Sequence, residues 1–120
     1  MKAILMRAAA TAIAAGALIS TNVYAGVETK CTICHDFGTT NKIGPHLKGV
    51  VGRKAGSVEG FKYTKSLKDG NWVWDDAHLR KWVVDSTAAI KEFTGDENAK
   101  TGMPPQRLDE AQVDEIIKYL

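Results

Sequence analysis

The pentapeptide CTICH, residues 31–35, holds the only two cysteines of this 120-residue chain. On a helical turn the positions i, i+3 and i+4 lie on one face, so Cys31, Cys34 and His35 project in the same direction. This spacing is the attachment motif of c-type haem, in which two thiols form thioethers with the haem vinyl groups and the histidine binds the iron. The motif predicts one covalently bound haem c, with Cys31 and Cys34 as attachment points and His35 as an axial ligand.

Two other interpretations of the cysteine pair stay open at this point. A zinc site needs four ligands, commonly as two pairs. The sequence has no second cysteine pair, and His46 and His78 are not spaced like a partner pair. A redox dithiol of the thioredoxin kind would need a βαβ context, which the sequence does not show. Both alternatives predict a colourless protein, so the colour of the purified protein separates them from the haem interpretation.

The N-terminal segment has the pattern of a secretory signal. Lys2 and Arg7 supply its positive charge, and residues 8–19 are small and apolar. An uncleaved membrane anchor is the alternative, but twelve apolar residues are too few to span a bilayer comfortably. The pattern predicts export, most simply to a bacterial periplasm, with no stable membrane insertion after cleavage.

The residues at the end of this segment suggest where it is cleaved. Val23 and Ala25 suit the two positions that a signal peptidase reads, which predicts cleavage after Ala25. Ala17 ends a second candidate site. We therefore divide the chain into a signal peptide, residues 1–25, and one domain, residues 26–120.

Composition and charge agree with one folded domain and exclude several classes of protein. The chain is 44% hydrophobic and 25% charged, which is typical of a folded soluble protein and not of a disordered or multi-span membrane protein. Residues 26–70 hold eight basic and four acidic side chains, whereas residues 71–120 hold six and ten. This polarity predicts a dipole that orients the molecule toward a charged partner. No basic cluster alternates with aromatic residues, so nucleic-acid binding is not expected.

The pattern of the domain predicts an all-α fold with long loops. Five glycines fall within residues 44–60, which disfavours long helices in that part of the chain. Asp75 is a candidate helix cap. After it, Leu79, Trp82 and Val83 share one face at helical spacing.

The helical stretch from residue 75 to residue 120 has one predicted break, TGMPP at residues 101–105, because two prolines cannot occupy a helix interior. In the last helix, Asp109 and Gln112 resemble a capping box. The apolar residues that follow have the i, i+3, i+4, i+7 spacing of an amphipathic helix: Val113, Ile116, Ile117 and Leu120. A chain of this size with short helices has a thin core, so something other than side chains is expected to fill part of the interior.

Met103 is the candidate for the second axial ligand. Met1 and Met6 lie in the predicted signal, which leaves Met103 as the only methionine of the domain. A thioether is an axial ligand in cytochromes and raises the reduction potential. The alternative is that Met103 only packs in the core. His46 and His78 remain as competitors for the iron.

Taken together, these motifs resemble class I cytochrome c, the soluble electron carriers of mitochondria and bacteria. The resemblance runs from Cys31 to Leu120 and rests on pieces in the right order: CTICH, IGPHLKGVVGRKAG, GFKYT, Trp74, the Met103 loop and the terminal helix. The extended segment KEFTGDENAKTGM is most like that of the bacterial members that shuttle electrons in respiration or photosynthesis. The resemblance implies a small cytochrome c fold, with four or five short helices and long loops around one haem.

The resemblance also implies roles for five further cofactor-binding residues. Pro45 would accept a hydrogen bond from the histidine of the CTICH motif, which fixes the imidazole ring. Arg53, Tyr63 and Trp74 match the residues that surround the haem propionates, which need donors when they are buried. Trp82 matches an aromatic residue next to the methionine. For the two tryptophans, core packing is the alternative.

The sequence departs from the family pattern in three places. His46 stands where the family commonly has asparagine. If cleavage follows Ala25, only five residues precede Cys31, so the family's crossing of the N-terminal helix on the last helix is expected to be short; cleavage at Ala17 would lengthen it. The sequence also stops at Leu120, without the family's usual extra turn.

The resemblance implies a monomeric periplasmic one-electron carrier and not an enzyme. It would shuttle electrons between respiratory or photosynthetic complexes, or between a dehydrogenase and an oxidase. Basic side chains are expected to steer transient docking to an acidic redox partner: Lys42, Lys48, Lys54, Lys62, Lys65 and Lys68. If they do, the bimolecular rate falls steeply as salt rises, and a flat salt profile contradicts the steering.

Three alternatives to a free carrier remain. In a haem enzyme or gas sensor, Met103 does not bind the iron, and carbon monoxide or peroxide binds rapidly. A haem-free redox or zinc protein has free thiols or bound metal. A dedicated subunit of one dehydrogenase or oxidase keeps the carrier chemistry, and the sequence does not separate it from a free shuttle.

Overall fold

The computed structural model describes residues 26–120. Within this range there are five helices: α1 (Thr29–Thr32), α2 (Lys65–Lys68), α3 (Asp76–Val84), α4 (Ser86–Thr94) and α5 (Glu110–Tyr119). The same residues form no strand, and a single antiparallel bridge pairs Lys54 with Val73. The prediction of an all-α fold with short helices and long loops is therefore confirmed. The predicted signal peptide and its cleavage sites lie outside the described residues.

The segment around the cysteines forms a short helical turn followed by loops. α1 covers four residues, and the turn continues to His35, whose N–H donates to the carbonyl of Cys31 at 2.8 Å. Residues 36–64 contain no helix, as their glycine content predicts. Gly56 cannot carry a side chain, because its φ is +66° and an added Cβ would lie 2.2 Å from the carbonyl oxygen of Leu67.

The helix α3 begins where its cap predicts. The carboxylate of Asp75 accepts a hydrogen bond from the backbone N–H of His78 at 2.8 Å and so satisfies a free donor of the first turn. Leu79, Trp82 and Val83 are all buried, which confirms the predicted face.

The prediction of a single break between residues 75 and 120 is wrong. A further break lies at Asp85, which ends α3 and caps α4 by accepting from the backbone N–H of Ala88. Asp85 has a φ of −149° and a ψ of 89°, outside the helical region, and its short carboxylate replaces a helix hydrogen bond. The predicted break is also longer than residues 101–105, because Gly95 ends α4 at a φ of +71° and the helix resumes only at Glu110.

The last helix, α5, has the predicted capping box. Asp109 accepts from the backbone N–H of Gln112 at 2.8 Å, and the Gln112 side chain accepts from the backbone N–H of Asp109 at 3.1 Å. The four apolar residues expected to face inward do so, two of them buried and two packed against the core: Val113, Ile116, Ile117 and Leu120. The predicted amphipathic helix is confirmed.

The helices and loops enclose two buried clusters. α3 packs against both α4 and α5. One cluster contains all three tryptophans and the fully buried Ile90. The second joins Val27, near the start of the described residues, to Val113 and Ile116 of α5, so the contact between the N-terminal segment and the last helix is present. No helix within residues 26–120 has the length and apolar character of a membrane span.

Candidate haem site

A cavity of about 360 Å³ opens between the CTICH turn, the loops that follow it and α3. It is lined by all nine residues that the sequence nominated: Cys31, Cys34, His35, Pro45, Arg53, Tyr63, Trp74, Trp82 and Met103. A mostly apolar cavity with a few polar groups is the usual form of a cofactor site. A more open groove of about 610 Å³, on the surface of α3, α4 and α5, contains none of the nine. The fold thus brings the nominated residues together, and their individual roles remain predictions.

The two cysteines are arranged for attachment to a ligand in this cavity. Cys31 and Cys34 are both free thiols, and both line the cavity. The N–H groups of Cys34 and His35 donate to the same carbonyl, that of Cys31, at 3.1 and 2.8 Å, so the three residues share one turn. Burial raises the pKa of the Cys31 thiol, which favours its neutral form.

His35 is held by the loop that follows the turn. Its Nδ1 donates to the carbonyl of Pro45 at 2.7 Å, because a carbonyl oxygen can only accept. Burial lowers the pKa of His35 and favours the neutral imidazole. In that tautomer Nε2 carries a lone pair, and neutral imidazole is the form in which histidine binds a metal. The ring therefore fits the role of an axial ligand.

Gly44 lies directly against the His35 ring. An added Cβ at this position would lie 2.4 Å from Cε1 and 2.7 Å from Nδ1 of His35. The N–H of Gly44 also donates to the carbonyl of Cys34 at 2.7 Å, which ties this backbone to the CTICH turn. In the sequence Gly44 is only one of several loop glycines, because a close approach between two parts of the chain leaves no local pattern.

Met103 lies in the loop between α4 and α5, half-buried in the cavity wall. The indole Nε1–H of Trp82 donates to its Sδ at 3.0 Å. The hydroxyl of Ser86 donates to its carbonyl at 2.6 Å. A thioether sulfur has a second lone pair, so the contact with Trp82 leaves one for a metal. Ser86 carries no sequence signal for this contact, because locally it is only the first residue of α4.

Three further side chains offer donors to the cavity: Arg53, Tyr63 and Trp74. The guanidinium of Arg53 donates through Nη2 to the carbonyl of His46 at 3.0 Å. Burial lowers the pKa of Arg53, but a guanidinium stays charged in proteins. The Tyr63 hydroxyl oxygen accepts from the N–H of Val58 at 3.1 Å, which leaves its own proton to donate. A cation with neutral donors beside it fits the two propionates of haem.

The competing histidines lie elsewhere. Neither His46 nor His78 is among the residues that line the cavity. The N–H of His46 donates to Oδ1 of Asn41, and Nδ1 of His78 lies 2.7 Å from Oδ1 of Asp75 at the start of α3. Within residues 26–120, no group of three or more His, Cys, Asp or Glu side chains is placed to hold a metal ion, so the zinc interpretation has no ligand set in this range.

Several residues of the cavity wall were not nominated as site residues, although three of them lie in segments that carry the family resemblance: Lys30, Ile43, Phe61, Thr64 and Gln106. Thr64 has two roles. Its Oγ1 accepts from the N–H of Leu67 at the start of α2 and donates to the carbonyl of Lys100 at 2.7 Å. A threonine before a helical turn is a recognisable cap. Its contact with a carbonyl 36 positions away is not recognisable from sequence.

Comparisons with known proteins agree with this geometry. The sequence model of the cytochrome c family matches residues 20–120. The chain is 39% identical over 104 residues to a cytochrome c2 of Cereibacter sphaeroides, covering 76% of this chain and 84% of that protein. It is 33% identical over 120 residues to the cytochrome c2 of Rhodospirillum rubrum, covering 93% and 89%. The solved structure of cytochrome c2 from Rhodobacter sphaeroides matches with a TM-score of 0.71 and 36% identity, covering 78% of this chain and 87% of that one.

Family membership decides between the alternatives left open by the sequence. Proteins of this family transfer electrons and are not enzymes, which excludes a haem enzyme. They bind haem c covalently through a cysteine pair, which is Cys31 and Cys34 here, and this excludes a haem-free protein. The match to solved cytochromes c2 confirms the expected class I fold. The chain therefore belongs to the cytochrome c family and is an electron carrier with one covalently bound haem c.

Proposed function

We propose that this cytochrome is a one-electron carrier of the bacterial periplasm in which His35 and Met103 would hold the haem iron. The observation that carries the proposal is that both side chains line one cavity together with Cys31 and Cys34. When bound, the haem supplies an iron that alternates between the ferric and ferrous states. Two protein ligands leave no position for a substrate, which suits a carrier and not a catalyst.

The surroundings of His35 fix both its tautomer and its orientation. The carbonyl of Pro45 accepts a hydrogen bond from Nδ1–H of His35, and Gly44 lies close against the ring. A hydrogen bond of this kind raises the basicity of the ligating nitrogen. A ligand held from two sides keeps one geometry in both oxidation states, which favours fast electron transfer.

Met103 would supply the second ligand. A thioether stabilises the ferrous state and so raises the reduction potential. The N–H of Trp82 orients the sulfur and draws electron density from it. Both effects favour a carrier with a positive potential.

The donors of the cavity wall would hold the haem propionates. Burying a carboxylate without donors is costly. Arg53, Tyr63 and Trp74 line the cavity, and the first two are themselves positioned by backbone groups of the loop. Arg53 supplies the positive charge that two propionates need.

Partner docking is proposed at the mouth of the cavity, beside the CTICH turn. Lys30 and Lys62 line the cavity, and the ammonium of Lys42 donates to a backbone carbonyl of that turn. Ile33 and Ile43 are 70% and 76% exposed in the same part of the chain. A partner with an acidic rim around an apolar centre fits such a surface. Small contacts of this type give the short-lived complexes that electron transfer needs.

The remaining lysines expected to steer docking differ in their surroundings. Lys65, the first residue of α2, is paired with Asp69, which directly follows that helix and offsets the lysine charge. Lys48, Lys54 and Lys68 belong to the same basic half of the chain and add to its field. The salt dependence of the bimolecular rate tests their joint contribution.

A periplasmic location is proposed from two observations. Residues 1–25 have the pattern of a secretory signal. The cytochromes c2 to which the chain is similar come from bacteria. An exported carrier also benefits from covalent attachment, because its cofactor cannot diffuse away.

Replacing Met103 with alanine tests the proposed ligation. Loss of the thioether should lower the midpoint potential by on the order of 0.2 V, a fraction of the ~0.8 V range that axial ligands span. The visible spectrum should change from low-spin to high-spin. Potentiometric titration with visible spectroscopy measures both effects. His78→Ala, which removes a residue outside the cavity wall, is the control and should change neither. A Met103→Ala protein with the wild-type potential and spectrum would show that Met103 is not the ligand.

A further inference from the structure

Ser86 is the only polar residue that is buried among residues 26–120, and its exposed fraction is 0%. It is the first residue of α4. Its hydroxyl donates to the carbonyl of Met103, 17 positions away, at 2.6 Å. A hydroxyl is costly to bury unless it is hydrogen-bonded, so this position serves the bond to Met103 and not apolar packing.

The break between α3 and α4 aims this hydroxyl inward. Asp85 leaves the helical conformation and caps α4 by accepting from the N–H of Ala88. The chain therefore changes direction immediately before Ser86. A serine inside a helix often donates to the carbonyl four positions earlier in that helix, and the first residue of a helix has no such carbonyl within it, so the hydroxyl of Ser86 is available to another segment.

The loop that carries Met103 has few other attachments. Hydrogen bonds tie residues 101–106 to the rest of the described chain at Met103 alone, through Trp82 on its sulfur and Ser86 on its carbonyl. The other bonds of this loop are local, and its two prolines have no N–H to donate. The next attachments outside it are at Lys100, through Thr64, and at Arg107.

We propose that Ser86 is the positioning residue of the ligand loop: its hydroxyl fixes the backbone of Met103 and so sets how readily the thioether leaves the iron. This inference rests on the proposed ligation by Met103. Trp82 orients the sulfur, whereas Ser86 holds the main chain from which the sulfur is presented. Without Ser86 the carbonyl of Met103 loses its buried donor, and the loop opens more often.

Binding of imidazole to the ferric protein tests this inference, because imidazole can bind only where Met103 has left. Ser86→Ala should bind imidazole about tenfold more tightly than the wild type, in line with the loss of one buried hydrogen bond. Ser86→Thr keeps the hydroxyl and should restore weak binding. The matched control is Thr94→Ala, which removes a hydroxyl of the same helix that donates to the carbonyl of Ile90 at 2.7 Å. It should leave imidazole affinity unchanged.

The outcomes distinguish a positioning role of Ser86 from a purely structural role. Free energies of unfolding are measured for the same variants, since a purely structural role would lower the stability of Ser86→Ala and leave its imidazole affinity at the wild-type value. Equal affinities in Ser86→Ala and Thr94→Ala would overturn the inference. So would tight binding in both Ser86 variants, because Ser86→Thr retains the donor.

The same imidazole titration distinguishes failure of the proposed ligation by Met103 from failure of the proposed role of Ser86. Met103→Ala sets the affinity for a site that has no thioether. If the wild type binds imidazole as tightly as Met103→Ala does, Met103 is not a ligand and the proposed ligation is wrong. If the wild type binds weakly and Ser86→Ala binds equally weakly, the ligation stands and only the role of Ser86 is refuted.

Discussion

The loops of residues 33–64 and the helices of residues 76–119 are built differently. The loop region contains no helix and buries three side chains: Val50, Ala55 and Val58. The helical region buries ten, including the fully buried Ile90 and Ile116. The loops nevertheless supply most of one wall of the cavity, with Pro45, Arg53 and Tyr63. One region is therefore held by its own core, and the other needs a ligand to pack against.

The difference explains how a region with so little regular structure can hold His35 in one position. In the loop region, backbone hydrogen bonds connect turn to turn: the N–H of Leu47 donates to the carbonyl of Asp36, and that of Gly44 to Cys34. Such bonds fix geometry but add little stability, because the same groups bond to water in the unfolded chain. Apolar burial against the haem would supply the remaining stabilisation.

Removing the two cysteines that attach the haem, Cys31 and Cys34, should destabilise the loop region more than any other change. Without haem, the apolar side chains around a cavity of about 360 Å³ lose their packing partner. The stability of a small domain is only about 5–15 kcal/mol, so this loss is large in comparison. We expect Cys31→Ala/Cys34→Ala to lose cooperative unfolding, with amide-exchange protection lost first in residues 33–64. Circular dichroism and hydrogen exchange measure both effects.

A control within the same motif separates attachment from local helix propensity. Ile33 lies between the two cysteines and is 70% exposed, so Ile33→Ala keeps both thiols and removes little buried surface. It should unfold like the wild type. If the double cysteine variant, purified without haem, kept the wild-type unfolding midpoint and protection in residues 33–64, the loops would not depend on the cofactor.

In the helical region, the features that could be predicted from the sequence are those that depend on neighbouring residues. The start of α3 at Asp75 and the capping box of α5 depend on residues three or four positions apart, and both were predicted correctly. The break at Asp85 was missed, because an aspartate within an apolar-periodic stretch is common on the exposed face of a helix. The local signal is nevertheless present, because Asp85 caps α4 by accepting from the N–H of Ala88, three positions later, as Asp75 does for α3 with His78.

The residues of the site also divide into those with a local sequence signal and those without one. The CTICH motif is local, and its chemistry follows from spacing alone. Arg53, Tyr63 and Trp74 were nominated by family resemblance, since no local pattern connects them to a cavity. Gly44 and Ser86 were not nominated at all. Their significance lies in the distance to another segment, the ring of His35 or the carbonyl of Met103, and neither distance is encoded in neighbouring residues.

Gly44→Ala should have the next largest effect, because it perturbs the loop region at its closest contact. The added Cβ would lie 2.4 Å from Cε1 of His35, which forces the ring or the loop to move. We expect a loss of about 1–3 kcal/mol of stability, as for overpacking in a core, and a changed visible spectrum. Urea unfolding and absorbance spectroscopy measure these effects.

Gly102→Ala is the matched control in the ligand loop. Neither glycine has a positive φ, and at Gly102 an added Cβ meets nothing within 4 Å. Its stability should stay within about 0.5 kcal/mol of the wild type. Equal losses of stability in Gly44→Ala and Gly102→Ala would show that the contact with His35 does not affect stability. Both losses would then come from replacing a glycine in the backbone.

The smallest expected effect concerns the helical region, whose stability depends on local caps. Hydrogen bonds from the backbone N–H and the side chain of His78 hold the pKa of Asp75 below its ordinary value. A carboxyl whose pKa is lower in the folded state stabilises the fold fully above its unfolded pKa, about 3.9, and loses that contribution as pH falls through the folded value. Asp75→Ala should therefore be less stable than the wild type at neutral pH, and the difference should shrink below about pH 4.

Asp75→Asn keeps a capping oxygen that does not titrate, so its unfolding free energy should fall less steeply with acid than that of the wild type. Urea unfolding at a series of pH values measures the slopes, and a gap between wild type and Asp75→Ala that widened in acid would contradict this account of the cap.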